Sequence, residues 1–370
     1  MESVYEKYDL SVYGFLPEKE LSSLPSYFET WEDLIKKLPE LNKTKKTREA
    51  VDKLPLLESS KLKTLREIKR AYSILSLIAN SYVWCLGMKN ASKKIPAVIA
   101  KPLWYVSEHL GIAPILTHAS VDLFNWKLKD SSKGMELDNL ESIYTVTGMK
   151  DEEWFYLIMV AIEAVGGKTV KSILNLMNAN ETELKPELTN IAKQINEYTN
   201  IIIRIKEKCD GDKFYNELRP YLSGWNSGSE YIKSMIYEGV DDIPKEYSGG
   251  SAAQSTLLQT LDMVFNIQHK SKYLVDIRQY MPKAHRNFIE YVSQLNLEEK
   301  VKNTGKKELI DLYETCVKRL GIFRQAHFAI VQKYIVKYID KNDYLSVKGT
   351  GGTDLNKFLQ EIIKDTTEKI

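Results

Sequence analysis

Apolar residues recur at spacings of three and four over most of this chain, the signature of helices with one buried face. The pattern predicts helices over Thr30–Leu38, Lys61–Trp84, Glu152–Met177, Leu188–Lys206, Ser251–His269, Pro282–Leu295, Lys307–Tyr338 and Leu355–Lys364. Alternating strand patterns closed by hairpin turns are scarce, so the chain reads as all-α or nearly so, with a short strand or two near the N-terminus. "SAAQ" (251–254) sets a hydroxyl three residues before an amide, the pattern of a capping box opening the Ser251 helix. The polar segment "KLKDSSKGMELDN" (127–139) is the best candidate linker. It divides a smaller N-terminal domain, residues 1–147, from a larger helical domain, residues 148–370.

Two segments strain the pattern. The uncharged window from Ala71 to Met88 is long enough to suggest a membrane span, but it carries Ser73, Ser76, Asn80 and Ser81. A buried core helix accounts for it better. In "IFRQAHFAIVQKYIVKY" (322–338), Phe323, His327, Ile330, Val331, Tyr334, Ile335 and Tyr338 share one helical face, which places an imidazole on or beside an apolar stripe.

Composition narrows the class. Of 370 residues, 43% are hydrophobic and 28% charged, the profile of a soluble globular protein. The net charge of +2 comes from 52 basic and 50 acidic residues that are well mixed, so neither nucleic acid nor an anionic membrane is an expected partner. Three scattered cysteines, Cys85, Cys209 and Cys316, form no C-x-x-C and argue against a disulfide framework. The opening "MESVYEKYDLSVYGF" lacks the apolar run of a signal peptide; a cytoplasmic monomer is expected.

No phosphate-binding loop, dinucleotide fingerprint or H-E-x-x-H motif occurs. The five histidines, His109, His118, His269, His285 and His327, include no pair at i, i+3 or i+4. His327 is then either a satisfied core imidazole or the axial ligand of a haem iron, whose macrocycle supplies the other donors. "YSGGSAAQ" and "GTGGTDL" (349–355) set glycines before helices, which suits either an anion site or plain capping. In "KFYNELRPYLSGW" (213–225), Phe214, Tyr215 and Arg219 would suit an aromatic ligand bearing a carboxylate, or would simply pack a helix end.

Taken together, "SYVW" (81–84), "APILTHASVDLFNW" (113–126), "LRPYLSGW" (218–225), "GGSAAQS" (249–255), "RQYMPKAHRNF" (278–288), "HFAIVQKYI" (327–335) and "GTGGTDL" resemble the indoleamine 2,3-dioxygenase family in order along nearly the whole chain. The resemblance implies a two-domain helical protein with haem b in the larger domain and His327 as proximal iron ligand. It implies that Asp262 and Arg324 brace the proximal side, that Phe155, Phe214 and Tyr215 line an indole pocket, and that Arg219 holds the substrate carboxylate. Ser251 and Ala252 would lie over the haem near a propionate, and Thr350 would belong to a loop that closes over substrate. His285 matches a motif histidine that is not the ligand. The implied chemistry is insertion of O2 into the indole C2–C3 bond of L-tryptophan, giving N-formylkynurenine, with a reductant as partner and no distal acid–base residue.

Three positions depart from that family's pattern. Met159 stands where mammalian enzymes carry a small hydroxyl residue, His118 replaces a tyrosine, and Asp122 replaces an apolar residue. His118 and Asp122 are four apart and share a helical face, which points either into the pocket or to water. The resemblance extends to the dioxygenase-derived myoglobins of molluscs, through stretches such as "KPLW" and "EWF". An oxygen-binding protein with little or no turnover is therefore the alternative. A catalytically weak haem-sensing relative is a third reading.

Overall fold

The computed structural model describes residues 3–21, 23–226, 231–339, 349–350 and 354–369. In chain order the helices are α1 (Val4–Lys7), α2 (Glu29–Lys43), α3 (Thr47–Val51), α4 (Leu65–Trp84), α5 (Ala97–Leu110), α6 (Lys150–Asn178) and α7 (Glu181–Ile202). They continue with α8 (Gly211–Lys213), α9 (Thr256–Val264), α10 (Tyr273–Asp276), α11 (Lys283–Val292), α12 (Leu297–Lys302), α13 (Lys307–Tyr334) and α14 (Leu355–Thr367). The nearly all-α expectation holds.

Strands are more numerous than the sequence suggests, and they are not confined to the N-terminus. β1 (Lys94–Ile95) pairs in parallel with β4 (Met235–Tyr237), which pairs antiparallel with β5 (Asp241–Lys245). β2 (Trp126–Leu128) and β3 (Leu140–Ser142) form an antiparallel hairpin. Two to five residues are too few to print an alternating pattern. The hairpin also revises the linker: Lys129 donates to the Asn139 carbonyl, and the Asn139 amide donates to the carbonyls of Asp130 and Gly134. Lys127 and Leu128 belong to β2, and residues 129–139 are a pinned loop between paired strands.

α4 is the buried core helix expected from Ala71–Met88. Thr64 caps it in a capping box with Glu67, and every residue from Ile68 to Trp84 is buried. Its polar side chains work inside the core. Ser73 donates to the Ser120 carbonyl, and Asn80 donates to the carbonyls of Tyr221 and Ser223 while accepting from Leu116 N. Buried polar groups need such partners. Here the partners are two chain segments of the functional site.

In the C-terminal part, α6 packs on α7, α7 on α13, and α13 on α14. Gly166 and Gly167 let other elements close on α6. A Cβ at Gly166 would lie 2.5 Å from Leu257 of α9, and one at Gly167 would lie 2.4 Å from the Val12 carbonyl. One continuous hydrophobic core runs from Tyr8 to Tyr334, across both halves of the chain. His285 is fully buried where those halves meet, 3.6 Å from Asp9, which also pairs with Lys69 at 2.7 Å. α13 ends at Tyr334, sooner than its periodicity suggests: Ile335 leaves helical geometry (φ −124, ψ −64) before a single 3-10 turn, Val336–Tyr338.

The Ser251 capping box is corrected in detail. Ser251 caps only a 3-10 turn, Ala252–Gln254, and Ser255 is the N-cap of α9. The Gln254 amide does not fold back to Ser251. It donates to the Gly249 carbonyl and accepts from His118 N.

Candidate functional site

α13, α6, the turns around residues 119–123 and 214–222, the loop at 249–253 and the start of α14 converge on a cavity. About 160 Å³ of it is open to the centre of a water molecule. His327, Ile330, Val331 and Tyr334 line it from α13, at the i, i+3, i+4, i+7 spacing that keeps side chains on one face. The partial accessibility of His327 is therefore to the cavity, deep within the protein. Burial, with the Arg324 guanidinium adding to it, pushes the imidazole down to about 4. The ring is neutral at ordinary pH, and among the described residues neither nitrogen has a hydrogen-bond or ion-pair partner.

One turn back on α13, Arg324 reaches away from the cavity wall to Asp262 of α9, at 2.5 Å, and to the Thr366 hydroxyl of α14. Burial pushes the Asp262 carboxyl up, but Arg324 and His269 outweigh it and hold it below the usual carboxylate range. His269 lies 3.0 Å from Asp262 and 3.2 Å from Asp365, so one imidazole bridges α9 to the end of α14. The helix expected to run from Ser251 to His269 stops at Val264, so His269 lies beyond α9 and its pairing with Asp365 was not foreseen.

Aromatic side chains form another wall. Phe155 and Phe214 pack with ring centroids 4.7 Å apart, and Tyr334 meets Phe214 edge-on at 6.3 Å. Arg219 is buried and lines the same cavity. Tyr215 does not line it, which corrects the expectation: its ring stacks on Tyr338 at 5.5 Å and faces the Arg219 guanidinium at 5.2 Å. Tyr215 sits beside Arg219 instead.

Gly250, Ser251 and Ala252 lie on the cavity wall, and Thr350 meets them. The Thr350 hydroxyl donates to the Gly250 carbonyl, and Gly249 N donates to the Thr350 carbonyl at 3.0 Å. Gly249 in turn approaches the 222–224 turn so closely that a Cβ would lie 2.1 Å from the Leu222 carbonyl. Gly351, Gly352 and Thr353 of the "GTGGTDL" motif lie outside the described residues.

The three departures all lie on the wall: Met159 from α6, and His118 and Asp122 from the turn before β2. Ala119–Leu123 is a π-helical turn, a widened form frequent at functional sites. His118 and Asp122 face inward and are buried, not turned to water. His118 Nδ1 lies 2.6 Å from Asp122, and its Nε2 lies 3.1 Å from Glu163 of α6. The Ser255 hydroxyl also donates to Glu163, at 2.7 Å. Burial opposes a charge on His118, yet Asp122 and then Glu163 push it up to about 10. Glu163, Ser255 and Gln254 were missed by sequence reasoning, although a lone carboxylate in "YLIMVAIEAV" was a usable signal.

A neutral imidazole with no partner, on an otherwise largely apolar cavity wall, is the donor that haem iron takes. Among the described residues no group of three His, Cys, Asp or Glu is set to hold a bare metal ion, so a macrocycle would supply the remaining donors. The residues present fit haem b with His327 as its ligand.

Comparisons with known proteins identify the family. The family model described as indoleamine 2,3-dioxygenase matches residues 4–370. Indoleamine 2,3-dioxygenase 1 of Rattus norvegicus is 34% identical, over 96% of this chain and 92% of its own. Indoleamine 2,3-dioxygenase 2 of Homo sapiens is 33% identical, over 99% and 95%. A myoglobin of Haliotis madaka is 35% identical, over 96% of each chain. With a match of that extent around this cavity, the chain belongs to the indoleamine 2,3-dioxygenase family.

Proposed function

We propose that the chain is a haem-dependent dioxygenase that inserts both atoms of O2 into the C2–C3 bond of L-tryptophan, or a related indoleamine, to give N-formylkynurenine. The observation that carries this reading is one largely apolar cavity presenting both a neutral imidazole, His327, and a guanidinium, Arg219. Haem b, the family's cofactor, supplies oxygen binding and the oxidative chemistry when bound through His327.

The chain's own residues hold, orient and exclude. Arg219 pairs with the substrate carboxylate through charge-assisted hydrogen bonds. The Phe155 and Phe214 rings pack against the indole, and Tyr215 packs on the guanidinium that anchors it. Thr350 meets Gly250 over the cavity, beside Ser251 and Ala252, and keeps water out. Asp262 and Arg324 brace the helix that carries His327. A cytoplasmic monomer supplied by a cellular reductant is the working form; among the described residues no helix is long and apolar enough to cross a membrane.

A second reading is an oxygen-binding protein with little turnover, favoured by the 35% identity to a Haliotis myoglobin. Arg219 argues for the enzyme, because oxygen storage has no use for a carboxylate anchor. The test is to reduce the holoprotein anaerobically, admit O2 with L-tryptophan, and quantify product. Stoichiometric N-formylkynurenine is expected. Reversible oxygen uptake without product would sink the enzyme reading and favour the second.

A further inference from the structure

The buried cluster sets the His118 imidazole between the carboxyl groups of Asp122 and Glu163, and burial pushes the Asp122 carboxyl up even with His118 beside it. Among the described residues no other cation pairs with either carboxylate. Two oxygens are left over: Asp122 Oδ1 and Glu163 Oε2 are buried with no hydrogen-bond partner. Each such orphan costs about 1–3 kcal/mol, and natural proteins keep few of them without a use. Glu163 lies behind the wall, while Asp122 lines the cavity and is 3% exposed. Its Oδ2 is committed to His118. Oδ1 accepts nothing within the protein and is itself almost wholly covered, so a ligand reaches it by a turn of the carboxyl group towards the cavity.

The position of this acceptor selects what it would meet. α4 holds the π-helical turn through Ser73 and the Arg219 turn through Asn80, seven residues apart, or about 10 Å along the helix. The amine and carboxylate of an amino acid share one carbon, so both stay at the Arg219 end. The ring lies away from that end, beside the haem site, in a cavity whose lining includes Val121, Asp122, Ile158 and Met159. An indole brings one polar atom there, its ring N–H. Met159 offers only a thioether, a weak acceptor.

We infer that Asp122, oriented by His118, is a specificity-determining residue that accepts the hydrogen bond of the indole ring N–H and so selects indoles over ring isosteres lacking that donor. This rests on the indole-binding reading above. Asp122 acts on binding and orientation, and no proton transfer is required of it. Glu163 positions His118, and Ser255 and Gln254 fix Glu163 and the His118 backbone in turn.

The test compares binding of L-tryptophan with that of 3-benzothienyl-L-alanine, in which sulfur replaces the ring N–H, by calorimetry on the holoprotein. The native protein is expected to prefer tryptophan at least about tenfold, the value of one hydrogen bond to a charged acceptor. In D122V the preference should fall to within about twofold. In D122N, which preserves the wall's shape and haem uptake, it should fall several-fold. Equal affinities in the native protein, or an unchanged preference in both variants, would overturn the inference while leaving the indole reading intact. If neither amino acid binds, the indole reading itself fails, and this inference with it.

Discussion

Removing Glu163 should expose how the cavity wall keeps charge inside the protein. Glu163→Ala takes one of two carboxylates from His118, an imidazole that the folded protein holds charged while fully buried. Leaving a buried charge wholly unpaired costs about 3–5 kcal/mol, but Asp122 stays paired with His118 in this variant, so the loss is smaller. Moving the imidazole from 6.5 to about 10 corresponds to roughly 5 kcal/mol for both carboxyl groups together, and Asp122, the larger influence, leaves about 2 kcal/mol to Glu163. The sign follows from linkage. Because the folded value is raised, the contribution is fully present below 6.5 and is lost as pH rises towards about 10. Urea unfolding at pH 6, 8 and 9.5 checks this. The native protein should lose stability over that range, and Glu163→Ala should start about 2 kcal/mol lower with a flatter dependence. The triple variant H118F/D122V/E163L, with no charge to bury, should be much closer to native than the single variant. A single variant within about 1 kcal/mol of native would refute the reasoning, because the wall would then be solvated.

Other expectations are independent of that cluster. His327→Ala should abolish stable haem incorporation, and a full Soret band with unchanged ligation would remove His327 from the iron. Arg219→Gln should raise the KM for L-tryptophan about 10- to 100-fold, from loss of a charge-assisted pair, with a smaller effect on kcat. Gly249→Ala should destabilise by about 1–3 kcal/mol and weaken substrate binding, since its Cβ would collide with the Leu222 carbonyl; melting and KM report both. Asp9 answers to acid: burial pushes its carboxyl up, but His285 and Lys69 win and hold it at about 2, below its ordinary 3.8. Its share of stability is present above 3.8 and is lost as pH falls towards 2, so Asp9→Asn should flatten acid unfolding in that window.

Much of this could be read from sequence because helical period reports direction. His327 was placed on the buried face of its helix before any contact was known, and Ser73 and Asn80 marked α4 as a core helix. Period failed where the backbone leaves regular geometry. The π-helical turn at Ala119–Leu123 left the orientation of His118 and Asp122 undecided, and the 3-10 turn at Ala252–Gln254 turned an apparent capping box into a tie between loops. His269, Glu163 and Gln254 were illegible for another reason. Each has a partner distant in sequence, 92 residues for Glu163 with Ser255 and 136 for Gln254 with His118, and no local pattern encodes such pairs.

The two hydrogen bonds joining Thr350 to Gly249 and Gly250 set a timetable as well as a shape. At about 0.5–1.5 kcal/mol net each, they hold the joined state by roughly 1–3 kcal/mol. The separated state then makes up about 0.5–15% of molecules. If the proposed amino-acid substrate enters through this junction, its arrival is slowed by the reciprocal of that fraction, and departure of product waits on the same event. A variant that weakens only this junction, such as Thr350→Val, should therefore quicken exchange in both directions even where it leaves the bound geometry untouched.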